Sequence, residues 1–241
     1  MVKMIQIFPT LVYWIMFLLF AGELVLLLLK KDTIAKWFRH LEILTCLAGV
    51  LFIVFVTGRP PLFGPFEACV YIIFVVVLLA RGCRGNVFLV NSIVVLLILA
   101  LVLGKPMAVN DDYYMYDNIW VMLFFDLRLV AAAFFVHVMV LHLTCFFEGF
   151  REKAVLLKQA RHKILVGALV YLCGEWSGSV WCLNWFGDSW QWSNGFFKAS
   201  LLFVLVMIVC HMPPAFGNNR LIRTLSGSLP GIFALWMIFY H

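Results

Sequence analysis

Charged residues are scarce in this chain: they make up 12% of its 241 residues, whereas 65% are hydrophobic. Soluble domains are about half apolar and about a quarter charged, so this composition excludes a water-soluble globular protein. The seven cysteines include no Cys-x-x-Cys pair, and most of them lie inside apolar runs. A disulfide framework and a zinc site are therefore not indicated, and we expect buried structural thiols.

What the chain has instead is a series of apolar runs, several of them close to twenty residues long. Runs of this length are typical of transmembrane helices and are too long for the strands of a membrane barrel. The first run is also too long for a cleavable signal peptide, and no small-residue cleavage site follows it. We predict an all-α integral membrane protein, with a single polytopic domain over residues 1–241.

Eight runs predict a bundle of about eight transmembrane helices. They cover about residues 5–29, 41–56, 66–79, 87–103, 127–147, 164–181, 196–212 and 229–241. The loops after the odd-numbered runs hold thirteen Lys and Arg residues, and the opposite side holds five. Cytoplasmic loops are enriched in Lys and Arg, so we predict a multi-pass protein of the plasma (bacterial inner) membrane with both termini on the outer, periplasmic side. The net charge of +6 then reflects topology in a lipid membrane and not a nucleic-acid partner.

The stretch from Gly174 to Phe197 (residues 174–197) is predicted to be a tryptophan-rich loop on the outer side. It contains five of the nine tryptophans, with Gly, Ser, Asn and Asp between them. An interfacial belt of aromatic residues is one interpretation. Five tryptophans within seventeen residues are more than anchoring needs, and aromatic faces also suit a flat apolar ligand.

Histidines inside membrane spans are the second unusual feature, because ionisable groups are costly there. His137 is expected in the outer half or near the middle of the fifth span. His211 lies at the inner end of the seventh span and His241 at the outer end of the eighth. His142 follows His137 by five residues, so a helix turns it about 140° away and the two cannot easily share one ligand. A lone histidine of this kind more often forms a hydrogen bond to another helix than it binds a metal.

Glu23 is an acid inside the first span. A functional role and an ion pair with another helix are equally open for it.

The tryptophan stretch resembles the motif of a known family, roughly G-x-x-W-A-x-x-x-W-G-x-Y-W-x-W-D-P-K-E-T. Without a gap, the matching positions are Gly178, Trp181, Gly187, Trp190 and Trp192. The family has a histidine nineteen residues after the last tryptophan, where this chain has His211, and an H-V pair upstream that His137–Val138 matches. Residues 61–67 are similar to its P-L-x-x-x-[FY]-E segment. The chain thus resembles CcsA of the system II cytochrome c biogenesis pathway, as a divergent member of the haem-handling proteins with a WWD motif.

The resemblance implies that the protein carries haem b, as a transient substrate, across the membrane and presents it for covalent attachment to apocytochrome c. It implies a role as part of a cytochrome c haem lyase, beside a membrane subunit of the ResB (CcsB) type. His137 and His241 are the implied ligands of the haem iron, and His211 is the implied inner haem site. The ring is expected against Trp181, Trp190 and Trp192, with Gly187 between them.

Three cations near the outer side, Arg59, Arg128 and Lys198, are candidates for contact with the haem propionates, although Arg128 has Asp126 as another possible partner. The chain departs from the family where Asp-Pro-Lys-Glu is expected, because Trp192 is followed by Ser193. Two alternatives therefore stay open. One is haem transfer without ligation, similar to the CcmC type, and the other is a cofactor-free transporter or structural subunit.

Overall fold

A computed structural model of the chain describes residues 2–62, 64–83, 86–109, 118–189, 194–212 and 219–240. Eight helices and no strand occur in these residues. The helices are α1 (Val2–Leu28), α2 (Asp32–Thr57), α3 (Pro65–Ala80), α4 (Val87–Val102), α5 (Ile119–Phe147), α6 (Phe150–Phe186), α7 (Asn194–Cys210) and α8 (Arg220–Phe239).

The protein is all-helical and has the character of a membrane protein. Within the described ranges, five helices are long and apolar enough to cross a membrane, namely α1, α2, α5, α6 and α8. The helices α3, α4 and α7 are apolar but shorter. The structure therefore confirms a helical membrane protein, whereas the number of eight spans stays a prediction.

Several helices begin well before the apolar run that predicted them. The second run was expected from residue 41 and the sixth from residue 164, but α2 begins at Asp32 and α6 at Phe150. The basic segments placed in loops, 30–40 and 150–163, are thus largely helical. Lys, Arg, Glu and Ala are good helix formers, and hydropathy alone marks only the apolar part of such a helix.

The chain divides into two compact units, residues 1–112 and residues 113–241. In unit 1, α1 packs on α2, α3 and α4. The Tyr13 hydroxyl on α1 donates a hydrogen bond of 2.8 Å to the carbonyl of Leu99 on α4. The single polytopic domain predicted for residues 1–241 stays a prediction.

Unit 2 is organised around α5, which packs on α6 and α8, while α7 packs on α6 and α8. Most of α5 is buried, which is typical of a helix that is apolar on all sides. The Tyr171 hydroxyl on α6 donates a 2.8 Å hydrogen bond to the carbonyl of Ala199 on α7. Each unit thus has its own core and its own polar link between helices.

Each unit contains an ion pair that joins an arginine to a glutamate. In unit 1, Arg59 donates to both carboxylate oxygens of Glu67, at 2.7 and 3.2 Å, and both side chains are almost fully buried. In unit 2, Arg128 pairs with Glu175 at 2.7 Å, and each side chain is about one-fifth exposed (20% and 22%). The alternative partner of Arg128 named above, Asp126, is thus not the one that forms this ion pair.

We expect the substitution Glu67→Gln to lower the free energy of unfolding by about 3 kcal/mol, because it leaves a buried guanidinium without its counter-charge. The matched change Glu175→Gln breaks a partly solvated pair and should cost about 1 kcal/mol or less. Thermal unfolding in detergent micelles measures both. Equal losses for the two variants would contradict this difference.

Candidate functional site in the second unit

A cavity of about 490 Å³ lies in unit 2, between α5, α6, the end of α7 and α8. Its volume lies within the range of about 300 to 1,000 Å³ that small-molecule sites have. The residues that line it are His142, Leu157, Ala160, Arg161, Ile164, Val209, Cys210, His211, Met212 and Arg223. Two imidazoles and two guanidinium groups thus share one largely apolar space.

His142 projects from α5 and is 7% exposed. Its Nδ1 atom is buried and has no hydrogen-bond partner among the described residues. Gly227 of α8 packs against the imidazole so closely that a Cβ atom there would lie 2.3 Å from the ring. The glycine therefore makes room for this histidine, whose imidazole belongs to the lining of the cavity.

His211 directly follows the last turn of α7 and is exposed. Its Nδ1 atom lies 3.0 Å from the carbonyl oxygen of Met207. A carbonyl can only accept, so Nδ1 carries a proton, and the neutral form of the ring has its lone pair on Nε2. A neutral imidazole held in this way has the tautomer that binds a metal through Nε2.

The electrostatics of the cavity favour an anionic ligand. Arg161 on α6 is exposed, whereas Arg223 on α8 is 6% exposed. No acidic side chain occurs among the described residues that line the cavity. Guanidinium groups pair well with carboxylates, and the apolar wall suits the body of a hydrophobic ligand.

For a free metal ion the donor set is too small. No group of three or more His, Cys, Asp or Glu side chains that could hold a metal ion occurs in the part of the chain that the structure describes. Two imidazoles at one cavity match a metal that already carries other ligands, as the iron of a macrocycle does.

The tryptophan-rich stretch is largely helical in the structure. α6 continues to Phe186, and α7 begins at Asn194, so most of the predicted loop 174–197 belongs to helices. Gly178, one of the glycines that suggested a loop, is a packing position instead, since a Cβ atom there would overlap the ring of Phe124. Gly187 ends α6 in a left-handed conformation with φ of 74°.

Trp181 is half-buried on α6, where its ring lies 5.9 Å from that of Phe124 and 6.4 Å from those of Phe125 and Trp185. Its Nε1 atom is buried and has no hydrogen-bond partner among the described residues.

His137 is fully buried in α5 and does not line the cavity of His142 and His211. It lies about 18 Å along α5 from Phe125, at 1.5 Å per residue, and Phe125 is where Trp181 packs. The structure therefore places His137 and Trp181 at different positions along the axis of α5. Three further predicted site residues, Trp190, Trp192 and His241, lie outside the described residues.

Each cation considered for the propionates has a protein contact. Arg59 is engaged by Glu67 and Arg128 by Glu175. The Nζ atom of Lys198 lies 4.7 Å from the centre of the Trp236 ring. The structure instead places Arg161 and Arg223 beside two histidines. Sequence interpretation missed these two arginines because both stand in segments that resemble ordinary cytoplasmic loops.

No known family model matches this chain, and no curated protein matches it.

We expect Gly227→Ala to displace the His142 imidazole, because the new methyl group overlaps the ring. The loss of stability should be about 1–3 kcal/mol, as for other overpacked sites. Thermal unfolding of the detergent-solubilised protein measures it. In a His142→Ala background the same substitution should cost almost nothing, since the ring is gone. A full loss in that background would contradict the contact.

Proposed function

We propose that this protein handles haem for cytochrome c biogenesis, and that the cavity of unit 2 is where it captures haem from the inner side of the membrane. The observation that carries the proposal is the meeting of His142, His211, Arg161 and Arg223 at one cavity of about 490 Å³. Haem is a flat apolar ring with an iron centre and two carboxylates. The cavity offers a counterpart to each of these parts.

The residues divide the binding work by their chemistry. The imidazoles of His211, through Nε2, and of His142 would hold the iron. Arg161 and Arg223 would donate charge-assisted hydrogen bonds to the propionates. The apolar wall, with Leu157 among its members, packs against the ring.

Transfer outward follows capture. In this proposal haem passes the predicted ligand His137 and then reaches the outer end of unit 2, where the predicted ligand His241 and the tryptophans Trp190 and Trp192 receive it. Thiols of apocytochrome c then add across its vinyl groups, and a ResB-type subunit completes the complex. His137 lies deep in α5, so the transfer brings the iron to a buried imidazole before the tryptophan end is reached.

The cavity would serve haem transfer equally well without ligation. The replacement of the family acid by Ser193, after Trp192, favours this second candidate. Complementation of a strain that lacks its cytochrome c synthase separates the two, because only a ligating protein restores covalent cytochrome c.

The protein purified from haem-replete cells together with its partner subunit should show a Soret absorption band. We expect His142→Ala and His211→Ala to lower the retained haem by about tenfold or more, because each removes an iron ligand held in place by its surroundings. Haem content is measured by absorption and by pyridine haemochrome assay.

His162→Ala is the matched control, because His162 is exposed and neighbours Arg161 without lining the cavity. Its haem content should equal that of the wild type. Haem that depends on His137 but on neither cavity histidine would move the capture site away from the cavity. A wild-type protein without haem would overturn the proposed function.

The proposed orientation places Asp188, which follows α6, on the periplasmic side and Lys158, near the start of α6, in the cytoplasm. An alkaline phosphatase fusion after Asp188 should therefore be active, and a fusion after Lys158 should be inactive. A green fluorescent protein fused at the same two positions is the control, with the opposite pattern. Activity of both phosphatase fusions would contradict the orientation.

A further inference from the structure

Unit 1 contains two buried carboxyl groups that line one cavity. Glu23 on α1 and Glu42 on α2 are each 1% exposed, and both belong to the lining of that cavity. Glu23 also accepts a 2.6 Å bond from Nε of Arg39 and another 2.6 Å bond from the hydroxyl of Ser92. Both carboxylate oxygens of Glu23 therefore accept hydrogen bonds, whereas Glu42 has an acceptor oxygen without a partner among the described residues.

Glu42 and its unpaired oxygen belong to the wall of a small cavity. Oε1 of Glu42 and Oδ1 of Asn91 are buried and have no hydrogen-bond partner among the described residues, and Asn91 is 4% exposed. Both residues line a cavity of about 130 Å³, which has room for about four waters at roughly 30 Å³ each. Two acceptor oxygens at one cavity require a donor there.

The same cavity reaches the protein surface. Its lining includes Lys36 and His40 of α2 and Arg81, which follows α3, and all three are exposed. Water at this mouth is thus connected to the buried carboxyl pair. On the predicted orientation the mouth faces the cytoplasm.

Among the described residues, one cation forms an ion pair with the two carboxyl groups. Glu23 pairs with Arg39, whose side chain is 19% exposed and lies 3.5 Å from the centre of the Phe88 ring, whereas Lys36 and Arg81 stand at the exposed mouth of the cavity. The thiols of Cys46 on α2 and Cys69 on α3 are buried in the same unit, and Asn91 and Ser92 of α4 carry no charge. An uncompensated buried charge is costly, and protonation of Glu42 removes that cost.

A metal ion fits this site poorly. Ca²⁺ takes six to eight oxygen ligands and Mg²⁺ takes six, whereas both oxygens of Glu23 already accept bonds from Arg39 and Ser92. A proton needs no such set of ligands, because it binds to a single carboxylate oxygen.

We propose that the Glu23–Glu42 pair is a proton-binding site and that Glu42 takes up and releases the proton through the cavity of unit 1. A hydronium ion transfers its proton to a Glu42 carboxylate oxygen and leaves as water. The protonated carboxyl then donates to Glu23, and the group of Glu23, Glu42 and Arg39 becomes neutral. Nothing in this site depends on the haem proposal, which concerns unit 2.

Labelling with a hydrophobic carbodiimide tests the proposal, because this reagent modifies protonated carboxyl groups in apolar surroundings. The full chain in lipid nanodiscs at pH 7 should be modified at Glu42, as located by mass spectrometry of its peptides. Labelling should fall as the pH rises. Glu67 is the internal control, since it is equally buried in unit 1 but ion-paired with Arg59, and its labelling should be at least about tenfold lower.

A second measurement does not depend on access of the reagent. The infrared carbonyl band of a protonated carboxyl group should be present in the wild type and lost in Glu42→Gln, with thermal unfolding as the check that this variant folds. The absence of this band from the wild type, together with the absence of labelling at Glu42, would overturn the proposal. Labelling that is suppressed by sodium chloride but not by choline chloride would also overturn it, in favour of a sodium site.

Discussion

The cost of burying a polar group in apolar surroundings governs this structure more than any other interaction. Helices satisfy the hydrogen bonds of the backbone, so the free-energy cost of burial falls on the few polar side chains that lie inside the units. Most of them are paired, as Arg59 with Glu67 and Tyr171 with a backbone carbonyl show. The atoms that lack a partner among the described residues are therefore informative, and several of them border the two cavities described above.

The two cavities differ in what they offer a ligand. The cavity of unit 2 presents imidazoles and guanidinium groups and has no acid among its described lining residues. The cavity of unit 1 ends at two carboxyl groups and an amide oxygen. Charge sign and size separate the candidate ligands: an anionic macrocycle suits the first and a proton suits the second. Each site is assembled from helices of a single unit.

Apolar runs predicted the existence of every helix, and they predicted α3 and α4 to within two residues at each end. Gly, Pro and polar residues bound these two runs sharply, so hydropathy and helix coincide. α2 and α6 were predicted too short because their charged first turns are good helix formers that hydropathy does not detect. Gly178 contributed to the wrong prediction of a loop for a different reason. It packs closely on Phe124, and the sequence alone does not distinguish such a glycine from one in a loop.

The candidate site was predictable only in part. His211 was singled out by its spacing from the tryptophans, and it does line a cavity. His142 was left open, because its role depends on Gly227, a residue more than eighty positions away that packs on its ring. Arg161 and Arg223 carried no signal in a chain whose predicted inner loops are all basic. Contacts between residues of different helices arise from tertiary packing, and the periodicity of one helix does not predict them.

The longest helix among the described residues is α6. Its 37 residues extend about 55 Å at 1.5 Å per residue, nearly twice the thickness of the hydrocarbon core of a bilayer. Arg161 at the cavity and Trp181 among the aromatic rings stand on this one helix, about 30 Å apart. The cavity and the aromatic rings around Trp181 are thus separated along α6 by about one thickness of the hydrocarbon core.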